Sequence, residues 1–297
     1  MAIQGGLGNQ LSQWYYAHTI SPNSSFRIDP LYKMTGTELR SFELQPLINT
    51  CPHLEGGEGK NFIAVQTRKY FEILDKSWEY KSLRRLVEKL GYFREDPRLD
   101  QSQSTKKLKV IRYAKGYFQK QEAIEKVFDC VVDELMPLLN NTLVKIKERF
   151  QIPPNYTVIH VRRSDYDAAE FTPIIIGTLS DEYFIQGLKG IDTSNLILLT
   201  ENYQDVSGLV KTLNPCMVLD KSDTNPWETL AIMYGATKFV GANSSLSWWG
   251  ARLCYSNGGD VWLPSDWSFW NNIDNSDYHF SGSNIAKVYW VQNSLLS

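Results

Sequence analysis

Four cysteines in 297 residues, Cys51, Cys130, Cys216 and Cys254, stand far apart, with no C-x-x-C pair and no histidine at ligand spacing. Neither a disulfide framework nor a structural zinc site follows from such scattered thiols. Long apolar runs are missing too: none approaches the roughly 20 residues that span a bilayer. The opening MAIQGGLGNQ lacks the basic and apolar regions of a secretory signal. Sequons such as those at Asn23, Asn155 and Asn243 carry no weight without one. The expectation is a protein of the reducing cytoplasm. Charge of one sign is also absent: 31 Lys+Arg against 33 Asp+Glu leave a net charge of -2. Proteins held on duplexes by counterion release are normally basic, so no nucleic-acid partner is expected. Repeats and low-complexity tracts are absent, which sets aside solenoids and linkers.

What the chain has in excess is aromatic residues, and six of its nine tryptophans fall between Trp248 and Trp290. Its length suits one large or two ordinary domains. The run Gln151-Ile-Pro-Pro-Asn155 would end a helix and stiffen a linker. The expected division is therefore 1–150 and 151–297.

The C-terminal half alternates strand and helix patterns. Tyr156–Val161, Asn195–Thr200, Cys216–Leu219, Thr237–Gly241 and Asp260–Leu263 are short β-branched or apolar runs. Between them, helices are predicted at Asp181–Leu188, Gln204–Leu213, Pro226–Tyr234 and Ser244–Cys254. Such alternation argues for an α/β fold with a parallel, doubly wound sheet. In the N-terminal half, a glycine turn at Gly5–Gly8 precedes a helix at Asn9–Thr19, and a strand is expected at Ser25–Ile28. Ile124, Val127, Phe128, Val131, Val132 and Leu135 form one apolar helical stripe, read as core.

Three motifs carry chemistry. In His160-Val-Arg-Arg-Ser-Asp-Tyr166, a buried strand gives way to a loop, and ligands of open parallel sheets sit beyond the carboxyl ends of strands. Adjacent arginines there are costly unless an anion or a carboxylate such as Asp165 pairs with them. Gly241-Ala-Asn-Ser-Ser-Leu-Ser-Trp-Trp-Gly250 is a strand leading into a helix. Its free N–H groups and hydroxyls make a phosphate cradle, although a simple N-cap would explain one Ser or Asn. Gly5-Gly-Leu-Gly-Asn-Gln10 matches neither a dinucleotide fingerprint nor a P-loop, yet its glycines let backbone approach a phosphate closely.

GGLGNQ, HVRRSDY and GANSSLSWWGA, in that order along nearly the whole chain, resemble the bacterial α-1,2-fucosyltransferase family, glycosyltransferase family 11. The second and third motifs are shared with α-1,6- and protein O-fucosyltransferases. The resemblance implies a GT-B architecture: two Rossmann-like domains whose parallel sheets face a central cleft, residues 1–150 on the acceptor side and 151–297 binding the donor. It implies GDP-fucose as donor, a terminal β-galactoside as acceptor at its 2-hydroxyl, and inverting transfer without a metal or other cofactor.

Carried over by position, Arg162 would hold the donor's β-phosphate, a task suited to a planar, permanently charged guanidinium. Arg163 would support it, anchored by Asp165, and His160 would order the loop. Asn243, Ser244 and Ser245 would bind the pyrophosphate, with Gly5, Gly6, Gly8 and Asn9 closing over it. Asp165, Asp167 and Glu170 could supply the base that inversion needs, Glu170 at the offset from His160 used by the α-1,6 enzymes. Asp220, Asp223 and Glu228 are candidates for guanine selection. A lipid-linked acceptor would add loose membrane association. Of two departures from the family pattern, Ser164 for Gly hardly disturbs the donor reading, and Leu11-Ser12 for Met-Phe bears on packing or the acceptor side.

Two rivals remain open. Asp165-Tyr-Asp167 is formally a D-x-D, by which metal-dependent GT-A enzymes hold a divalent ion and a nucleotide sugar. The neighbouring arginines already bring the positive charge such an ion would supply. Alternatively, Trp262, Trp267 and Trp270 could serve a non-catalytic carbohydrate-binding protein. Trp248, Trp249 and Trp262 are expected in the core, leaving Trp267 and Trp270 as ligand contacts.

Overall fold

The computed structural model describes residues 2–3, 5–20, 26–27, 29–30, 41–50, 54–55, 80, 83, 86, 92–94, 113–115, 124–125, 128–163, 178–267, 278, 280 and 288–291. The chain divides into two compact units, Met1–Glu134 and Leu135–Ser297. The prolines at 153–154 fall within the second unit, just after a long helix. Every described strand pair is parallel, as expected of an α/β protein.

The first unit begins with β1 (Ala2–Ile3) and α1 (Leu7–Ile20), followed by β2 (Phe26–Arg27) and β3 (Asp29–Pro30). Next come α2 (Gln45–Thr50), β4 (Leu54–Glu55), β5 (Tyr92–Arg94) and β6 (Tyr113–Lys115). Pairings are β1 with β3, β2 with β4 and β5 with β6. Leu7, Leu11, Trp14 and Tyr15 of α1 are buried, the spacing that puts one helical face into a core. The expected strand at Ser25–Ile28 is represented by Phe26–Arg27; Ser25, Ile28 and Val127 lie outside the described residues.

The glycine turn that opens α1 has a specific lock. Gly5 has φ +77°, a conformation that strains other residues, and a Cβ there would also displace the Asn9 side chain, whose Nδ2 it would meet at 2.4 Å. The buried Gln10 donates from Nε2 to Gly5 O (2.7 Å) and Ser41 O (2.9 Å) and accepts from Glu43 N–H (2.9 Å). One side chain thus satisfies its own polar atoms and clamps the turn to the segment before α2.

Helix α3 (Phe128–Phe150) spans the division between the units. Its Phe128, Leu135, Leu139 and Ile146 are buried, extending the apolar stripe legible from Ile124. Beyond it the second unit runs β7 (Thr157–Val161), α4 (Asp181–Gly187), β8 (Leu196–Thr200) and α5 (Ser207–Leu213). It continues with β9 (Met217–Leu219), α6 (Pro226–Tyr234), β10 (Lys238–Val240), α7 (Ser245–Ser256), β11 (Asp260–Pro264) and β12 (Val288–Val291). These match the sequence pattern within a few residues, with β12 added.

The six strands lie in the order β12-β11-β10-β7-β8-β9. From β7 the chain winds outward through β8 and β9, then returns to the other side of β7 for β10, β11 and β12. That is the doubly wound arrangement of Rossmann-type sheets, and the reversal opens a crevice between the carboxyl ends of β7 and β10. The strands read as continuous apolar runs because helices cover both faces. All of β7 is buried, and Ile159, Val161, Leu196, Leu198 and Val240 form one core with Tyr183 and Phe184 of α4. Each such side chain contributes roughly 1.5–3 kcal/mol of burial.

Glycines set the close approaches of helices to this sheet. A Cβ at Gly187 would meet Val240 Cγ1 at 2.8 Å, and one at Gly250 would meet Met233 Sδ at 2.4 Å. These positions seat α4 on β10 and α7 on α6. The tryptophans at the start of α7 serve the same end: Trp248 and Trp249 are buried in an edge-to-face pair 5.2 Å apart. Trp262 is half-buried against the core.

Candidate functional site

Two strand exits meet at the crevice. β10 and β7 run in register, Val240 opposite Ile159, while β7 and β8 align Val161 with Thr200. The chain therefore leaves the sheet side by side at Gly241–Ser244, at Arg162 and at Glu201.

On the β10 side, Ser244 is the N-cap of α7. Its Oγ accepts from Ser247 N–H at 3.1 Å, and its own N–H reaches Ala242 O at 2.9 Å. The N–H groups of Ser245 and Leu246 are the first of the helix and have no acceptor within it. They point their dipoles where an anion would sit. Asn243 is buried and its Nδ2 donates to Trp267 O at 3.4 Å, bracing the loop after β11. Ser244 and Ser245 thus sit at the helix start that the sequence indicated.

His160 ties the two exits together. It is 3% exposed, and its Nδ1 lies 2.5 Å from Oγ of the fully buried Ser247. The same Ser247 Oγ accepts the Ala242 N–H at 3.0 Å. Burial, with a smaller contribution from the Arg162 charge, pushes the His160 imidazole down to about 3. The ring is therefore neutral near pH 7 and acts as a brace from β7 to the first turn of α7. A second brace comes from α4: buried Tyr183 donates from its OH to Gly241 O at 2.7 Å.

The two arginines diverge. Arg162 forms a half-buried ion pair with Glu201, with side-chain exposures of 16% and 20%. Arg163 turns to other partners: Asp205 O (3.0 Å), Leu179 O (3.1 Å) and Asp181 Oδ1 (2.6 Å). Among the described residues, the acid that anchors Arg163 is Asp181 at the start of α4, with the carbonyls of Leu179 and Asp205 beside it. Arg163 fastens the segment 179–181 to the turn after β8. Asp165, Asp167 and Glu170 lie outside the described residues.

The carboxylates considered for guanine selection are engaged locally. Glu228 closes a capping box with Asn225 at the start of α6 and pairs with Arg149 at 2.9 Å. Asp220 accepts from Ser222 N–H (2.7 Å) and Oγ–H (2.6 Å), and these bonds hold its carboxyl below the usual range. Asp223 accepts from Asp220 N–H at 3.0 Å. Trp267, expected as a ligand contact, is instead interior: at 4% exposure it stacks on Tyr278, centroids 5.1 Å apart, and is no open platform. Trp270 lies outside the described residues.

The glycine turn of the first unit holds Gly5, Gly6, Gly8 and Asn9 at the start of α1, locked by Gln10 as described. Sequence reading missed Glu201, Ser247 and Gln10. Glu201 had one visible signal, an acid directly after the apolar NLILLT run; Ser247 was hidden within a run of serines. Among the described residues no group of three or more His, Cys, Asp or Glu side chains could hold a metal ion, and no helix is long and apolar enough to cross a membrane.

No family model matches the chain. It is similar to a curated Escherichia coli protein, alpha-1,2-colitosyltransferase, at 24% identity over 292 residues, covering 89% of this chain and 90% of that one. Among solved structures, POFUT1 in complex with GDP aligns over 88% of this chain and 97% of its own, at 12% identity and a TM-score of 0.41. A glycosyl transferase family 9 protein from Veillonella parvula aligns over 98% and 84%, at 9% identity and a TM-score of 0.45.

Proposed function

We propose that this chain is a GT-B glycosyltransferase that moves L-fucose, or a deoxy relative of it, from a GDP-sugar to the 2-hydroxyl of a terminal β-galactoside. The observation that carries the proposal is Arg162 at the exit of β7, adjacent in register to the capped start of α7 at the sheet's reversal point. A half-buried guanidinium beside unpaired helix N–H groups is built for a diphosphate. The end-to-end similarity to a sugar transferase supports the reaction class.

Catalysis on this view is leaving-group stabilisation. As the C1–O bond of the donor breaks, negative charge grows on the GDP oxygens. Arg162, Ser244, Ser245 and the first N–H groups of α7 are the fixed donors that would oppose that charge. The neutral, buried His160 holds these groups in place and takes no proton from the acceptor. Deprotonation of the acceptor hydroxyl would fall to a carboxylate of the stretch that follows Arg163, with Asp165, Asp167 and Glu170 the candidates. Inversion of a β-linked donor gives an α-linked product, and no metal is required because Arg162 supplies the charge. The enzyme would work in the cytoplasm, loosely held at the membrane if its acceptor is lipid-linked.

The name of the curated relative favours one variation. Colitose is L-fucose without the 3-hydroxyl, so the donor sugar here is either of the two. A donor panel separates them. GDP should raise the melting temperature of the wild-type protein by linkage, about 2.7 kcal/mol at a hundredfold excess over Kd. Arg162→Ala should remove that shift while leaving the unliganded protein folded. Transfer from GDP-fucose or GDP-colitose to a β-galactoside should persist in EDTA and give an α-1,2 linkage by NMR. A protein that ignored GDP, or transferred only with Mn²⁺, would overturn the proposal.

A further inference from the structure

Arg162 and Arg163 leave the same strand, yet only Arg162 is paired with an acid that itself stands at a strand exit. Glu201 follows β8 directly, on the side of Arg162 opposite the start of α7. Arg163 is held by acceptors at the start of α4 and by a carbonyl of the turn after β8. By strand order Arg162 therefore stands between the Glu201 carboxylate at the β8 exit and the β10 exit that leads into α7.

Building on the diphosphate reading, we propose that Glu201 is a positioning residue: its carboxylate holds the Arg162 guanidinium at the β7 exit in the orientation that meets the donor's terminal phosphate. An arginine side chain has several rotatable bonds, and its grip on a phosphate depends on presenting a planar fork at a fixed angle. A neighbouring strand is a rigid place from which to fix that angle. Glu201 also supplies a counter-charge while the site is empty, so the half-buried guanidinium is not stranded without an anion. Its repulsion of an incoming phosphate acts across the width of the guanidinium, a longer distance than the contact that orients the arginine. Positioning therefore outweighs competition.

The test compares GDP with GMP, which lacks the terminal phosphate. In the wild type, GDP should bind more tightly than GMP. Glu201→Ala should weaken GDP about tenfold, as expected for a misplaced binding group, with GMP affinity unchanged and kcat/KM for the GDP-sugar falling at least as far. Glu201→Gln should recover much of this loss, because its amide oxygen still accepts from the guanidinium. In an Arg162→Ala background, Glu201→Ala should have no further effect. Tighter GDP binding in Glu201→Ala would overturn the proposal in favour of competition. A lower melting temperature with an unaltered GDP-to-GMP ratio would reduce Glu201 to a structural role. Equal loss with and without Arg162 would make it a direct ligand. Wild-type protein that fails to distinguish GDP from GMP would instead sink the diphosphate reading itself.

Discussion

Acidification from pH 7 to pH 5 should weaken the second unit through a single buried group, His160. The folded protein holds this imidazole at about 3, whereas in an unfolded chain it titrates near 6.5. Between these values the unfolded state binds the proton that the folded state refuses. The stability associated with the neutral ring is thus complete above pH 6.5 and is lost as pH falls from there toward 3. Integrated from pH 7 to pH 5, the loss is about 2 kcal/mol, or roughly 4–8 °C in Tm for a unit of this size. The assay is thermal unfolding by circular dichroism across that range, in the wild type and in His160→Gln. The variant should show a flatter pH dependence by about the same 2 kcal/mol, other titrating groups cancelling in the difference. Ser247→Ala separates charge from packing. It leaves the ring buried and strands both Nδ1 and the Ala242 N–H, so it should lower stability by about 2–4 kcal/mol at every pH and leave the slope intact. Equal slopes in the wild type and His160→Gln would refute the reasoning.

Two further outcomes follow from the packing. Gly250→Ala should destabilise by about 1–3 kcal/mol in urea unfolding, because the added methyl meets Met233 Sδ at 2.4 Å; adding Met233→Ala should recover part of the loss, and a neutral Gly250→Ala would show that α7 can shift off α6. Arg163→Lys should lower Tm, at about 2–3 kcal/mol for its forfeited carbonyl bonds, while changing GDP affinity less than Arg162→Lys does; the reverse ranking would exchange the assigned roles of the two arginines.

Much of the second unit could be read from sequence because its strands are short, apolar and separated by strong helix starts. Asn225-Pro-Trp-Glu228 announces α6, and Ser244 announces α7. The chemistry-bearing motifs were visible for the same reason, since strand exits and helix caps are local features. Strand β12 does not register in the strand–helix alternation, although Val288–Val291 has the right residue types, because no helix pattern separates it from β11. The first unit was less legible. Its described strands are two or three residues long, too short for a period of two to register. The described tryptophans serve mostly as packing, and Trp267 stands in the interior, where Tyr278 covers it.

In the second unit the amino-acid order by itself determined, within a few residues, most of the segments that became strands or helices, and that arginines and serines would stand at strand ends. Only the tertiary structure decided who stands next to whom. Arg162 meets Glu201 across 39 positions and His160 meets Ser247 across 87, pairings that depend on β7 lying between β8 and β10. A local pattern reports which face of a segment is buried. It carries no record of strand order, which is settled by how the whole set of helices and strands packs into one core.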